Sequence, residues 1–213
     1  MAKSINKRWI KKHLSDTYVK QAKKMGFRSR AAFKLIEIDE KYGLIRPGLT
    51  ILDLGASPGS WSQVVSRKLK QKKKLIEKKI VAVDILPVSP IEGVEYVQGD
   101  FLERETTEKI IKVFNNYKID LILSDISPTL SGVSVADSSR INYLGELVLD
   151  FCYHNLSVNG TVLLKTFQGS GYSQLVEKYK QVFCQVFRKK PDSSRSESAE
   201  VFVLAKNLKN RVV

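Results

Sequence analysis

Asp53-Leu54-Gly55-Ala56-Ser57-Pro58-Gly59-Ser60-Trp61 is the stretch on which the fold turns. The apolar run Leu49 to Leu54 feeds it, and Trp61, Val64, Val65 and Leu69 follow at helical spacing. That order reads as strand, tight loop, helix. Gly55 and Gly59 carry no Cβ, so a ligand can approach the backbone closely. The loop also presents free N–H groups at a helix N-terminus. A dinucleotide site would carry G-x-G-x-x-G, and a phosphate loop would end in Gly-Lys-Ser/Thr. Neither is present: the spacing is Gly-x-x-x-Gly with an acid in front. An acid there suits a ligand with a positive centre or an ammonium group, and S-adenosylmethionine has both. A plain structural βα turn stays open as the alternative.

The chain around this loop has 213 residues, enough for one domain with a sizeable core. Its 36 Lys and Arg against 22 Asp and Glu give a net charge of +14. Such an excess points to a polyanionic partner, with nucleic acid favoured over an anionic membrane. Cys152 and Cys184 lie in apolar runs and are expected as buried thiols, which fits a cytoplasmic location. No Cys-x-x-Cys is present, and His13 and His154 are far apart, so no metal site is expected. The basic N-terminus is not followed by an apolar run, so no secretory signal is expected. No window reaches the roughly 18 apolar residues of a membrane span.

Residues 1–28 read as a basic arm. Between Lys3 and Arg30 stand ten basic residues against Asp16 alone, with Trp9, Tyr18 and Phe27 interleaved. Lysines and arginines position a phosphate backbone, and aromatic rings stack on unpaired bases. The plainer alternative is a solvated tail whose aromatics dock on the core. Ser29 is expected to cap a helix that runs to Tyr42 and stops at Gly43, with Lys34 beside its apolar face. Arg67 to Lys79 holds eight basic residues and is expected as a helix end and surface loop, with a second nucleic-acid contact as the alternative. Further strands are predicted at Ile80–Val83, Val94–Val97, Ile119–Leu123 and Thr161–Leu164, and helices at Glu105–Phe114, Ser139–Leu156 and Gly171–Val182. Phe183–Phe187 and Glu200–Ala205 read as an antiparallel pair. Strands alternating with helices predict a doubly wound α/β domain, with a mostly parallel sheet of seven strands and a C-terminal antiparallel strand.

Asp53, Asp84, Asp100, Asp125 and Lys165 all fall at predicted strand ends. In open parallel sheets, ligands bind beyond those ends, near the switch in strand order. Asp84 is placed to accept from ribose hydroxyls. Asp100 and Phe101 are placed to hold and flank an adenine.

Five ordered blocks now resemble one family. They are Ser29-Arg30-Ala31-Ala32-Phe33-Lys34-Leu35, the Asp53–Trp61 stretch, Ser124-Asp125-Ile126-Ser127-Pro128, Leu164-Lys165-Thr166-Phe167-Gln168-Gly169, and Ser194-Arg195-Ser196-Glu197-Ser198-Ala199-Glu200-Val201. Together they resemble the FtsJ family of RNA 2′-O-methyltransferases over about residues 28 to 206. The resemblance implies a Rossmann-like methyltransferase domain over residues 29–206, with a tail at 207–213. It implies a catalytic tetrad of Lys34, Asp125, Lys165 and Glu200. It implies S-adenosylmethionine as cofactor, held by Gly59, Trp61, Asp84, Asp100 and Asp125, with S-adenosylhomocysteine as product. It also implies a uridine ribose in 23S ribosomal RNA as target, within the large subunit. A monomer with neither DNA nor a membrane as partner is expected.

Two features depart from the pattern. Relatives usually read Asp-Met-Ala-Pro-Asn where this chain has Asp125-Ile126-Ser127-Pro128-Thr129, and the lysine-rich segment before Asp84 is longer. Lys165 is the candidate base, or else an ammonium that stabilises charge on the attacking oxygen. A transfer-RNA ribose methyltransferase shares the tetrad. A ribosome-assembly binding factor is the rival from another class, and a nicotinamide dehydrogenase is the weakest.

Overall fold

The computed structural model describes residues 15–71, 79–129 and 131–209. Seven strands form one sheet: β1 (Ile51–Leu54), β2 (Ile80–Asp84), β3 (Val94–Gln98), β4 (Ile119–Ser124), β5 (Leu156–Phe167), β6 (Phe183–Lys189) and β7 (Glu200–Leu208). Their order is β3-β2-β1-β4-β5-β7-β6. The first five are parallel, and β7 runs antiparallel to both β5 and β6. The expected sheet and its antiparallel C-terminal strand are therefore present.

Strand residues alternate between two cores. Ile51, Ile80, Leu121, Leu163, Phe202 and Leu204 face one side. There they meet α2 (Ala31–Tyr42) and α3 (Ser60–Gln71), through Leu35, Ile38, Val64 and Val65. Leu52, Val81, Ile122, Val162 and Val203 face the other side. That side is covered by α4 (Arg104–Val113), α5 (Ser134–Asn155) and α6 (Tyr172–Val182). Burial on both faces is what a parallel sheet requires, and it explains the unbroken apolar runs.

The strand order reverses between β1 and β4, so a crevice opens beyond their C-terminal ends. Those ends are level: Leu54 pairs with Val83 and with Ser124, and Ser124 with Leu164. Gly55 stands there at φ +73°, and a Cβ on it would come 2.6 Å from the Ile126 Cα. Gly59, at φ +104°, has the Arg28 guanidinium and Ile91 where its Cβ would be. Both glycines are thus required by protein atoms, where the sequence suggested ligand approach.

Residues 15–28 pack on this frame. Asp16 caps α1 (Thr17–Lys24) by accepting from the Tyr18 and Val19 N–H groups. Tyr18 and Phe27 both pack against Phe33, at 5.4 and 5.9 Å between ring centroids, and Arg67 covers Phe27. These two aromatics dock on the core, as the plainer alternative had it. Trp9 and residues 1–14 lie outside the described residues, as do 72–78 of the lysine-rich segment. Within that segment's described part, Lys68 pairs with Asp39, Lys70 with Glu92 and Lys79 with Glu95.

Several local expectations are corrected. Ser29 precedes the capping position, which Arg30 fills without a side-chain bond; the Ser29 hydroxyl instead accepts from Ala31 N–H and pairs with Ser60 Oγ at 2.7 Å. Gly43 does end the helix, in the left-handed conformation. Helix α5 starts at Ser134 rather than Ser139, because Asp137 accepts from the Ser131 and Gly132 N–H groups and fixes the preceding turn. Val158-Asn159-Gly160 is no turn but an irregularity within β5, where the register against β4 shifts. Cys152 is buried, whereas Cys184 is exposed on edge strand β6. No described helix is long and apolar enough to cross a membrane.

Candidate active site

Four elements bring charged side chains to one end of the sheet. Lys165 shares its strand face with Leu163 and pairs in register with Phe202, which puts it on the α2–α3 side. Its Nζ donates to the backbone oxygen of Asp125 at 2.6 Å and lies 3.0 Å from Asp125 Oδ1. Lys34, on α2, donates to Glu200 Oε2 at 2.6 Å and sits 5.9 Å from the centre of the Phe202 ring. Glu200 opens β7 opposite Phe167, two residues along β5 from Lys165. Its other oxygen accepts from Ser194 Oγ at 2.8 Å. The four expected residues therefore form two ion pairs flanking Phe202. The Lys165 side chain is only 8% exposed. Burying an ammonium is costly unless a carboxylate accompanies it, and Asp125 does.

The remaining expected residues line the β1–β3 half. Asp84 ends β2 and accepts from the Ser57 and Leu86 N–H groups, each at 2.8 Å, which ties it to the glycine loop. Asp100 lies two residues beyond β3 and accepts from Leu102 N–H. Phe101, expected to flank a ring, is instead buried edge-on against Phe151, while Leu102 is exposed. Trp61 is buried, and its Nε1 donates to Ala31 O at 2.9 Å. Its indole serves the core, so the N–H groups of the first α3 turn are what this position can offer a ligand. Gly59 shapes the loop just before that turn.

Asp53 is not at the mouth but fully buried within β1, accepting from Ser62 Oγ at 2.6 Å. Its Oδ1 and the buried Ser124 Oγ have no hydrogen-bond partner among the described residues. Burial pushes the Asp53 carboxyl up to about 7; Ser62 opposes the rise, and the charges of Asp125 and Asp84 add to it. The folded chain then keeps a proton that the unfolded chain has lost above about pH 4. Stability should fall as pH rises from about 4 through 7, by at most about 1.4 kcal/mol per pH unit. Urea unfolding across that range measures it. Asp53→Asn should flatten the slope relative to the wild type, and parallel slopes would contradict the assignment.

Residues for which the sequence suggested no such role hold this arrangement. Arg28 donates to the carbonyls of Pro58, Ser89 and Pro90 at 2.8–2.9 Å, clamping the glycine loop to the segment after β2. Arg30 pairs with Asp16 and donates to Ser193 O, and Arg195 stands 3.7 Å from Asp16. Glu37 accepts from Ser193 N–H, beside the serine that holds Glu200. Asn142, on α5, accepts from Thr166 Oγ1 and donates to Ser170 O, which secures the loop after Lys165. Arg28 and Arg30 had been counted with the RNA-facing arm, yet both turn inward. A guanidinium carries five donors and suits such carbonyl clamps, but only three-dimensional contacts reveal the use. No group of three potential metal ligands occurs among the described residues.

A 3-2-1-4-5-7-6 sheet with a glycine loop and strand-end acids at its switch point defines a Rossmann-like methyltransferase domain. The same fold recurs in human methyltransferase-like protein 13, solved with SAH, at TM-score 0.52 and 14% identity, over 83% of this chain and 79% of that one. Closer relatives identify the family. The FtsJ-like methyltransferase model matches residues 27–208. The ribosomal RNA large subunit methyltransferase E of Bordetella pertussis is 46% identical over 210 residues, 98% of this chain and 100% of its own. That of a Janthinobacterium species is 48% identical over 212 residues, covering 99% of each. A ribosomal RNA methyltransferase crystal structure from Plasmodium falciparum superposes at TM-score 0.77 with 31% identity, over 87% of this chain and 100% of that one. The chain belongs to the FtsJ-like methyltransferase family, and it is an enzyme.

Proposed function

We propose that the protein transfers a methyl group from S-adenosylmethionine to the ribose 2′-hydroxyl of a uridine in 23S ribosomal RNA, within the large subunit in the cytoplasm. The observation that carries this reading is the pair of ion pairs, Lys165–Asp125 and Lys34–Glu200, gathered from four separate elements beside the glycine loop. The relatives named for large-subunit ribosomal RNA supply the substrate.

The residues present fit the cofactor. The β1–β3 half presents the carboxylates of Asp84 and Asp100 as acceptors beside the glycine loop. Such a set suits a ligand rich in hydroxyl and amino donors and carrying positive charge. The cofactor supplies a methyl carbon already activated by the sulfonium. This chain's share is to hold the 2′-oxygen at reacting distance, which can lower the barrier by several kcal/mol. Lys165 Nζ donates to the Asp125 backbone oxygen and lies in ion-pair contact with Oδ1, so an ammonium there still has a hydrogen to turn to the 2′-oxygen. As a neutral amine Lys165 would take the hydroxyl proton; as an ammonium it would donate to the charge that develops as the oxygen–carbon bond forms, the proton leaving later. Glu200, fixed by Ser194, holds Lys34 on the opposite side.

Methyl transfer from labelled cofactor tests the reading, with large subunits, stripped ribosomal RNA and transfer RNA from a strain lacking the protein. Label recovered as 2′-O-methyluridine in the subunit is expected. Label in transfer RNA alone would replace the substrate and keep the chemistry. A bound cofactor with no transfer to any RNA would favour the assembly-factor role.

Arg28 gives a separate prediction. Arg28→Met removes three charge-assisted bonds to carbonyls around the glycine loop. The KM for the methyl donor should rise about 10-fold, equivalent to roughly 1.4 kcal/mol, with kcat retained at saturation. An unchanged KM would show that the loop keeps its shape without the clamp.

A further inference from the structure

On the α2 side of the sheet, away from the tetrad, three lysines crowd one aromatic ring. The ammonium groups of Lys41, Lys189 and Lys206 lie 5.9, 4.4 and 5.6 Å from the centre of the Tyr42 ring. They come from the last turn of α2, the end of β6 and the middle of β7. None of the three has an ion pair among the described residues. That separates them from Lys34, Lys68, Lys79 and Lys178, each of which has its own carboxylate. Tyr42 registers the local field: its phenol is pushed below the ordinary value, first by hydrogen bonding with Lys189; burial opposes this next, and the charges of Lys189, Lys41 and Lys206 add smaller downward pushes. Beside the ring opens a cavity of about 200 Å³, whose walls include Arg46, Asn159, Thr161 and Lys206. Its one acid, Asp120, already accepts from Thr50 N–H at 2.9 Å.

Three like charges held this close repel one another, and an anion placed among them relieves that repulsion. We propose that Lys41, Lys189 and Lys206, gathered around Tyr42, form a second binding site for the phosphodiester backbone of the RNA substrate. The proposal rests on the reading of the protein as an RNA methyltransferase. The Tyr42 phenol stands among the three ammonium groups and can donate its O–H to a phosphate oxygen, so the ring supplies a donor as well as a platform. Lys34 and Lys41 are seven residues apart on α2, hence on nearly the same face and about 10 Å apart along the axis. That spans the rise of about three nucleotides at roughly 3.4 Å each. Between them on α2, Glu37 accepts from Ser193 N–H, which ties the loop after β6 to the helix. The cluster would then grip a stretch of the RNA separate from the reacting nucleotide. Two contacts so placed would fix the orientation of a folded RNA, which one reacting nucleotide cannot do. Phosphate contacts position a nucleic acid without reading its sequence.

The test compares wild type with a Lys41→Gln, Lys189→Gln, Lys206→Gln triple variant for binding to a 23S ribosomal RNA transcript across a salt series. A second triple variant, Lys109→Gln, Lys112→Gln, Lys118→Gln, removes the same charge from the α4 side. The Tyr42-cluster variant should bind at least 10-fold more weakly, with a log–log salt slope shallower by about 2, at about 0.7 per lost contact. The α4 variant should change neither by a comparable amount. Lysine-to-arginine changes at the three cluster positions should keep the binding, which separates lost charge from lost fold. Equal affinity and slope in wild type and the cluster variant would overturn the site, as would an equal loss in the α4 variant or no RNA binding by the wild type. Methyl transfer to the same transcript and to large subunits is followed separately. A cluster-dependent salt slope without transfer to any RNA would sink the enzymatic reading and leave the binding site standing. Transfer with no cluster dependence would do the reverse.

Discussion

Lys165→Ala should lower methyl transfer by about 10²- to 10⁴-fold, the range for loss of a positioned proton-transfer group, while the affinity for the methyl donor changes little. The expectation follows from geometry. Lys165 Nζ is held by Asp125 through both its backbone and side-chain oxygens, at 2.6 and 3.0 Å. Asp84 and Asp100 lie beyond β2 and β3, on strands that do not touch β5. Deleting the ammonium therefore removes one cation of the tetrad and leaves the Asp84 and Asp100 acceptors in place, while Asp125, also expected to face the cofactor, keeps its backbone tie to Leu54 O. The substitution also leaves Asp125 without its cation. Breaking a well-buried pair costs about 3–5 kcal/mol; Asp125 retains 19% side-chain exposure, so the loss should be smaller. Lys165→Met fills more of the vacated space and separates lost chemistry from lost fold. Single-turnover transfer on large subunits and calorimetric titration with the donor measure the two quantities. If donor affinity fell as far as the rate, Lys165 would belong to the cofactor site instead.

The order of elements was legible because the central parallel strands are buried on both faces and so appear as mainly apolar runs ending in a charge. Ile80 to Asp84 is the clearest example, whereas edge strand β3 is partly exposed. The tetrad was legible through family resemblance, and the structure brings its four members together. What escaped reading were uses that depend on distant partners. Arg28 and Arg30 looked like two more cations of a basic arm. Their carbonyl and carboxylate partners lie 14 to 163 positions away. Tyr42, Lys189 and Lys206 likewise meet only because β6 and β7 fold back over α2. Cys184 sits in an apolar run, but edge strand β6 turns alternate residues to solvent, so its neighbour Phe183 is buried and it is not. Gly55 and Gly59 were recognised as necessary. At Gly55 the structure adds a reason the sequence did not show, the close approach of the Ile126 backbone, because a missing Cβ says that something approaches closely and not what it is.

Gly55→Ala should cost the protein about 2–5 kcal/mol and most of its activity together. A left-handed conformation costs an L-residue about 1–2 kcal/mol, and Gly55 has φ +73°. Overpacking adds typically about 1–3 kcal/mol. The added Cβ would lie 2.6 Å from Ile126 Cα and 2.7 Å from Ile126 N. These are backbone atoms, so no side chain can swing aside. Both partners are also pinned: Gly55 N–H donates to Val83 O at 2.9 Å, and Asp125 N–H donates to Leu54 O at 3.0 Å. Relief therefore requires the segment after β4 to move, and that segment carries Asp125, the partner of Lys165. The midpoint of thermal unfolding should drop by roughly 4–20 °C, at about 2–4 °C per kcal/mol for a chain of this size. Transfer should fall even at temperatures where the variant stays folded. Gly43→Ala is the matched control. Its φ is +59°, but nothing lies within 4 Å of the new Cβ. It should show the conformational cost alone, about 1–2 kcal/mol, with activity intact. If the two variants melted together and both methylated normally, the contact between Gly55 and Ile126 would not be what sets the tetrad.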